Sequence, residues 1–152
     1  MQLMRVEEPS EKFSLQVASE LEALTQVLEW FEANLAPQIP QEAFWESQIS
    51  LAEGFTNAVR HAHRDLPCEI PIDIEVILLS DSLEICIYDC GEPFDLHQKL
   101  KSLHQESFDP LEREAGRGLL FIDQLTDEFD YLRLPNGKNC LQIRKEIKGS
   151  LT

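Results

Sequence analysis

The chain has 152 residues and 43% of them are hydrophobic, enough to bury the core of one domain. It carries 28 Asp and Glu against 13 Lys and Arg, a formal net charge of −15. An acidic excess of that size excludes a role dominated by clamping nucleic acid, because neutralising phosphates takes surplus Lys and Arg. A small phosphorylated ligand stays open, since its charge can be met locally by backbone amides and a metal ion. The nearly apolar runs, such as Ile74 to Leu79, are strand-sized and broken by charge, so no membrane span is expected. Met1 to Ser10 lack an apolar signal region and carry Glu7 and Glu8, which points to the cytoplasm. Cys68, Cys86, Cys90 and Cys140 form no CxxC pair and no zinc spacing, so reduced thiols are expected.

In chain order, Phe13, Leu15 and Val17 alternate with polar residues and predict a short strand. Ser19-Glu20-Leu21-Glu22 fits a capping box for a helix whose apolar stripe is Leu21, Leu24, Leu28, Phe31 and Leu35, ended by Pro37. A second helix is predicted from near Pro40 to about His63, burying Trp45, Ile49, Ala52, Val59 and Ala62. After Pro67 the period changes to two. Ile72 to Leu79 and Leu83 to Tyr88 make a hairpin around Asp81-Ser82. Asp95 to Ala115 is polar and weakly periodic, long enough for a lid. Gly116-Arg117-Gly118 then opens a helix over Leu119 to Leu125. Strands near Phe129 to Leu134 and Cys140 to Ile147 flank a Pro135-Asn136-Gly137 turn. This order predicts an α+β two-layer sandwich, with helices on one face of a mixed, mostly antiparallel sheet.

Three segments carry candidate chemistry. Glu53 and Asn57 are four apart on the second helix, so their side chains share a face. A carboxylate beside an amide carbonyl offers hard oxygen donors to Mg²⁺; an ordinary solvated Glu–Asn pair is the alternative. Asp89, in Asp89-Cys90-Gly91-Glu92-Pro93-Phe94, keeps the parity of Leu83, Ile85 and Ile87 and so points toward the helices. It could accept the exocyclic amine of a purine, with Gly91 permitting close approach, or cap its own turn. Gly116-Arg117-Gly118 at a helix start could cradle phosphate through free N–H groups, with Arg117 adding a charged contact, or form a plain loop-to-helix junction. Its spacing matches neither the dinucleotide fingerprint nor the P-loop.

Taken in order, Glu53-x-x-x-Asn57, Asp89-x-Gly91-x-x-Phe94 and Gly116-x-Gly118-Leu119 resemble the nucleotide boxes of the Bergerat-fold ATPase superfamily. With Asn57-Ala58 followed by His61, and Gly91-Glu92-Pro93-Phe94-Asp95 after Asp89, the chain is most similar to bacterial anti-sigma serine/threonine kinases of the RsbW/SpoIIAB type. The resemblance covers nearly all of residues 1–152 as one domain, with an ATP lid at about 95–115. It implies ATP and Mg²⁺ as cofactors. Asn57 would be the magnesium ligand, Glu53 the catalytic carboxylate, Asp89 and Gly91 the adenine contacts, and Gly116, Arg117 and Gly118 the phosphate contacts. It also implies a homodimer that binds a sigma factor and phosphorylates an anti-sigma factor antagonist, with no direct contact to nucleic acid or membrane. A nucleotide-responsive module that sequesters a partner without phosphotransfer is the alternative. Pro93, where many superfamily members carry a second glycine, stiffens the first glycine box. His61 stays outside the catalytic set.

The charge is unevenly spread. Residues 1–53 hold ten acids and two bases, while nine of the thirteen bases lie from Lys99 onward. The acidic first helix is therefore expected to meet a basic partner surface, and the basic lid side to face ATP. Ile77, Leu79, Cys86 and Tyr88, on the hairpin's second face, are more apolar than a solvated face requires, which is in keeping with a homodimer.

Overall fold

In a computed structural model that describes residues 11–104 and 110–147 (the side chains of 104 and 110–115 excepted), the alternating stretch around Phe13 forms β1, Glu11–Val17. The expectations for Met1 to Ser10, and for the part of the lid at 105–109, lie outside the described residues. A 3-10 turn at Leu21–Ala23 leads into α1, Leu24–Leu35. The capping box does not form. No side chain caps either segment, and the Ser19 N–H is spent on the carbonyl of Cys68, 3.1 Å away. Of the expected stripe Phe31 and Leu35 are buried and Leu24 packs against the core, with Val27 buried beside them, while Leu21 in the 3-10 turn is exposed.

Helix α2 spans Gln41–Asn57 and runs on through a π-turn at Ala58–Ala62, ending where the sequence places it. Its buried face is different from the expected one. Ala43, Phe44, Ser47, Ser50, Leu51, Gly54 and Phe55 are buried, whereas Trp45 is 54% and Ile49 45% exposed. The reason is space. α2 packs against α1, the last helix and the sheet, and a Cβ on Gly54 would lie 2.6 Å from Ile87 and 3.1 Å from Leu141. Gly54 must therefore be small, while Phe44, Leu51 and Phe55 fill the rest of that face.

The hairpin forms β2, Ile72–Leu78, and β3, Ser82–Asp89, with Leu78 opposite Leu83. After it, Asp95 caps an unexpected helix α3, Leu96–His104, its Oδ1 accepting the Gln98 N–H at 3.1 Å. Helix α4 spans Pro110–Leu125, so it starts well before Gly116. The expected loop-like lid is thus largely helical in its described parts. Strands β4, Glu128–Arg133, and β5, Asn139–Glu146, complete a sheet of order β1-β2-β3-β5-β4. Every pairing among the described residues is antiparallel, so the α+β sandwich is as expected but the sheet is not mixed.

The core lies between layers. Ile72, Ile74, Val76, Leu83, Ile85, Ile87 and Ile143 meet Phe31, Leu51, Phe55 and Ile122. Each such side chain contributes about 1.5–3 kcal/mol on burial. On the outer sheet face the hairpin residues are met by their own neighbours. Leu79 and Cys86 are buried, Tyr88 donates to Glu75 at 2.9 Å, and Lys138 pairs with Asp73 at 3.1 Å. That face therefore gives no argument for a second copy. All four cysteines are free thiols, and no helix among the described residues is long and apolar enough to cross a membrane.

Candidate functional site

α2 carries Glu53 and Asn57 one turn apart, both half-buried. Immediately after Asn57 the helix widens into the π-turn, closed by the His63 N–H on the Ala58 carbonyl at 2.8 Å. This brings the end of the helix onto the turn that follows β3. Gly91 packs directly on the Ala62 carbonyl, leaving no room for a Cβ, and the Cys90 N–H donates to His63 Nε2 at 2.9 Å. Two segments 27 residues apart in sequence are joined at these two points.

Asp89 ends β3 with 3% exposure, at the core-facing parity expected of it. Its Oδ1 accepts the Gly91 N–H at 2.9 Å and Asn139 Nδ2 at 2.8 Å. Its Oδ2 accepts the Tyr131 hydroxyl at 3.1 Å. A carboxylate has about four lone-pair sites, so these three donors leave one acceptor, on Oδ2. Asp89 thus caps its own turn and still keeps an oxygen for an exocyclic amine. Asn139 is fully buried, with its second amide hydrogen on the Gly91 carbonyl at 2.9 Å and its Oδ1 held by Arg133 at 3.2 Å. Burial and the Asp89 charge push the Tyr131 phenol far above its usual value, which keeps it a donor. Phe94 stacks on Tyr131 with ring centroids 4.4 Å apart.

The third motif behaves differently. Gly116, Arg117 and Gly118 lie inside α4, where their N–H groups serve helix carbonyls rather than a phosphate. The glycines instead allow close packing, Gly116 on Leu103 of α3 and Gly118 on Glu53 of α2. The structure therefore brings Gly118 to Glu53 but does not form the expected cradle, and Arg117 is exposed. Positive charge gathers at the end of α2. His61 is held below its usual pKa by partial desolvation and by Arg64, Lys99 and Arg60. Lys99 belongs to α3, so the basic side of the lid region does reach the Asn57 end of α2.

A pocket of about 470 Å³ opens at this junction, lined by His61, Ala62, Arg64, Gly91, Pro93 and Arg133 among others. A larger depression, about 530 Å³, lies on the outer sheet face around Gln16, Asp73, Tyr88 and Lys138. It touches none of the motif residues and is rimmed by ion pairs, so the junction is the better candidate site.

Four residues of this site, His63, Phe94, Tyr131 and Asn139, have no role in the sequence argument beyond Phe94's place in a motif. Tyr131 and Asn139 had a signal. Both are polar residues at core-facing parity on strands flanking a tight turn, and a buried polar group needs a partner.

Comparison with known proteins places this geometry in context. Relatives each called serine-protein kinase RsbW match from Oceanobacillus iheyensis (37% identity over 92 residues, 57% of this chain and 56% of the relative) and Staphylococcus aureus (33% over 94, 59% and 58%). Another, from Bacillus licheniformis, is 37% identical over 86 residues, 53% of this chain and 52% of the relative. The matches thus span just over half the length of those relatives. The crystal structure of the RsbU and RsbW domains of Rv1364c from Mycobacterium tuberculosis superposes with a TM-score of 0.64 at 13% identity. That superposition covers 95% of this chain and 35% of the other, and shows a shared fold. A family profile described as the histidine kinase-like ATPase domain matches residues 17–145, from the last residue of β1 almost to the end of β5. The match takes in the α2 end, the Asp89 turn and α4 together, and the chain belongs to the histidine kinase-like ATPase domain family.

Proposed function

We propose that the chain is a single ATPase domain acting as an ATP-dependent serine/threonine protein kinase and anti-sigma factor, which phosphorylates an anti-sigma factor antagonist in a cytoplasmic partner-switching system. The observation that carries the reading is the meeting of the α2 end with the Asp89 turn, through Gly91 on Ala62 and Cys90 on His63. The segments that bear Glu53, Asn57 and Asp89 are thereby held together. The names of the relatives support the kinase class.

Asp89 reads the base: its remaining acceptor suits the amine of adenine and repels the oxo group of guanine. Glu53 accepts the proton of an incoming serine or threonine hydroxyl as that oxygen attacks the γ-phosphorus. Among the described residues no three His, Cys, Asp or Glu gather as metal ligands. Asn57, with Glu53 one turn away, fits an ion that takes most of its ligands from phosphate and water, as Mg²⁺ does. When bound, Mg²⁺ supplies neutralisation of phosphate charge. Arg60, Arg64 and Lys99 add fixed positive charge near His61. Gly116, Arg117 and Gly118 contact phosphates only if α4 begins later than it does here.

The test is transfer of γ-phosphate from ATP to the antagonist by wild type, Glu53→Ala and Asn57→Ala. Wild type should transfer and both variants should fail. A wild type that binds ATP and its partner but transfers nothing sinks the kinase reading. A nucleotide-responsive binding module would then remain, and the helical state of Gly116–Gly118 is the observation on its side. Single-turnover transfer separates the two. A homodimer follows from the family likeness and is tested by sedimentation.

A further inference from the structure

We propose that His63 is a positioning residue for the nucleotide site: as a neutral ring it holds the Asp89–Gly91 turn through the Cys90 N–H, and protonation releases that turn. The inference rests on the nucleotide reading above and adds a residue that registers one part of the site against another.

His63 follows the π-turn directly and is 3% exposed. Its Nε2 accepts the Cys90 N–H at 2.9 Å. A nitrogen that accepts carries no proton, so the ring's single proton sits on Nδ1, which is buried without a hydrogen-bond partner. Cys90 lies between Asp89 and Gly91, so any displacement of its N–H carries the Asp89 carboxylate with it. The packing of Gly91 on the Ala62 carbonyl is the second contact to the same segment. Together they fix the Asp89 turn in register with the helix bearing Glu53 and Asn57. A protonated ring would oppose an N–H to the Cys90 N–H and break the first contact.

The surroundings set the direction of the pH dependence. Burial lowers the His63 pKa and is the larger effect; the Asp89 charge across the turn opposes it. His61, Arg64 and Asp65 on its own segment, and Cys90 on the facing turn, are further ionisable groups at the junction. Because the folded value lies below the ordinary one of about 6.5, the neutral ring's contribution is complete above that pH. It is lost as the pH falls below it.

The experiment measures ADP affinity from about pH 8 to about pH 5 for wild type, His63→Gln and His63→Phe. Glutamine offers an amide oxygen to the Cys90 N–H and does not titrate; phenylalanine offers no acceptor. The terminal phosphate of ADP titrates in the same range and any His61 contribution is common to both proteins, so the His63 share is the difference between wild type and His63→Gln. Expected is an acid loss in wild type exceeding that of His63→Gln, and an affinity lowered about tenfold at neutral pH in His63→Phe, the scale of one lost hydrogen bond. His63→Gln should recover most of that loss. Identical pH profiles for wild type and His63→Gln, or wild-type affinity in His63→Phe, overturn the proposal. If wild type binds no ADP at any pH, the nucleotide reading fails instead. The ¹⁵N shifts then decide the remainder: a Cys90 amide that titrates with the His63 ring upholds the contact, and one that ignores it overturns it.

Discussion

Gly118 of α4 lies against Glu53 of α2, so closely that a Cβ on the glycine would sit 2.6 Å from the carboxylate Oε1. Oε1 is the far end of a flexible side chain, so Gly118→Ala should turn the carboxylate rather than part the helices. Alanine also favours a helix interior over glycine by about 0.5–1 kcal/mol. The expected variant is at least as heat-stable as wild type and defective in phosphate transfer. Calorimetry and a transfer assay on one preparation check both halves; wild-type transfer would show that the setting of Glu53 is immaterial.

Asp89 gives a second contrast. Asp89→Asn keeps the shape but turns one acceptor oxygen into an NH₂ facing donors from Tyr131, Asn139 or Gly91. Leaving such buried donors unmatched costs about 1–3 kcal/mol. The rise in Tm on adding ADP should disappear in Asp89→Asn, because a ligand stabilises only the state it binds. Tyr131→Phe removes one neutral donor and frees an acceptor, so its Tm should fall while the response to ADP survives. An Asp89→Asn protein that ADP stabilises like wild type would remove Asp89 from base recognition.

Strand pattern was the readable part of this sequence. Ile72 to Leu78 alternates because one face of the hairpin is core, and the same parity carried along β3 correctly predicts a buried Asp89. The helices were less legible. On α2 the inward face pairs Phe44, Leu51 and Phe55 with Ser47, Ser50 and a sterically confined Gly54, while Trp45 and Ile49 stay out, so apolar character alone misplaces the stripe. Before α1 the 3-10 turn put only Leu21 outside, and Leu24, Phe31 and Leu35 kept the expected stripe. In the lid region Asp95, Leu96, Leu100 and Leu103 carry a helix start and helical spacing that polar neighbours obscured. The site motifs were visible as short patterns. Parity marks Tyr131 and Asn139 as buried polar residues, but that they and His63 meet the Asp89 turn depends on long-range contacts that no local period encodes.

The two faces of α2 predict unequal mutational costs. Phe55 is fully buried, and Phe55→Ala should cost about 3–5 kcal/mol. Trp45→Gln and Ile49→Thr, at exposed positions on the same helix, should each change stability by less than about 0.5 kcal/mol. Urea denaturation of the three variants checks the ordering. A large loss at Trp45 or Ile49 would mean that this face is covered in solution.

The acidic face of the first helix makes the last prediction. Glu22, Glu29 and Glu32 are all exposed, Glu29 and Glu32 three apart on one side of α1 and Glu22 in the 3-10 turn that leads into it. Charges so placed act on a partner within about one Debye length, roughly 8 Å at physiological salt, and lie on a different element from Asp89 and Asn57. Reversing all three to lysine should weaken binding of a basic partner, chiefly by slowing association, and should flatten its dependence on salt. ADP affinity should not move. Stopped-flow binding of the co-purified partner at two salt concentrations, beside an ADP titration, reads each arm separately. Unchanged association in the triple variant would place the partner on another surface, and a parallel loss of ADP affinity would trace the effect to the fold rather than to the acidic face.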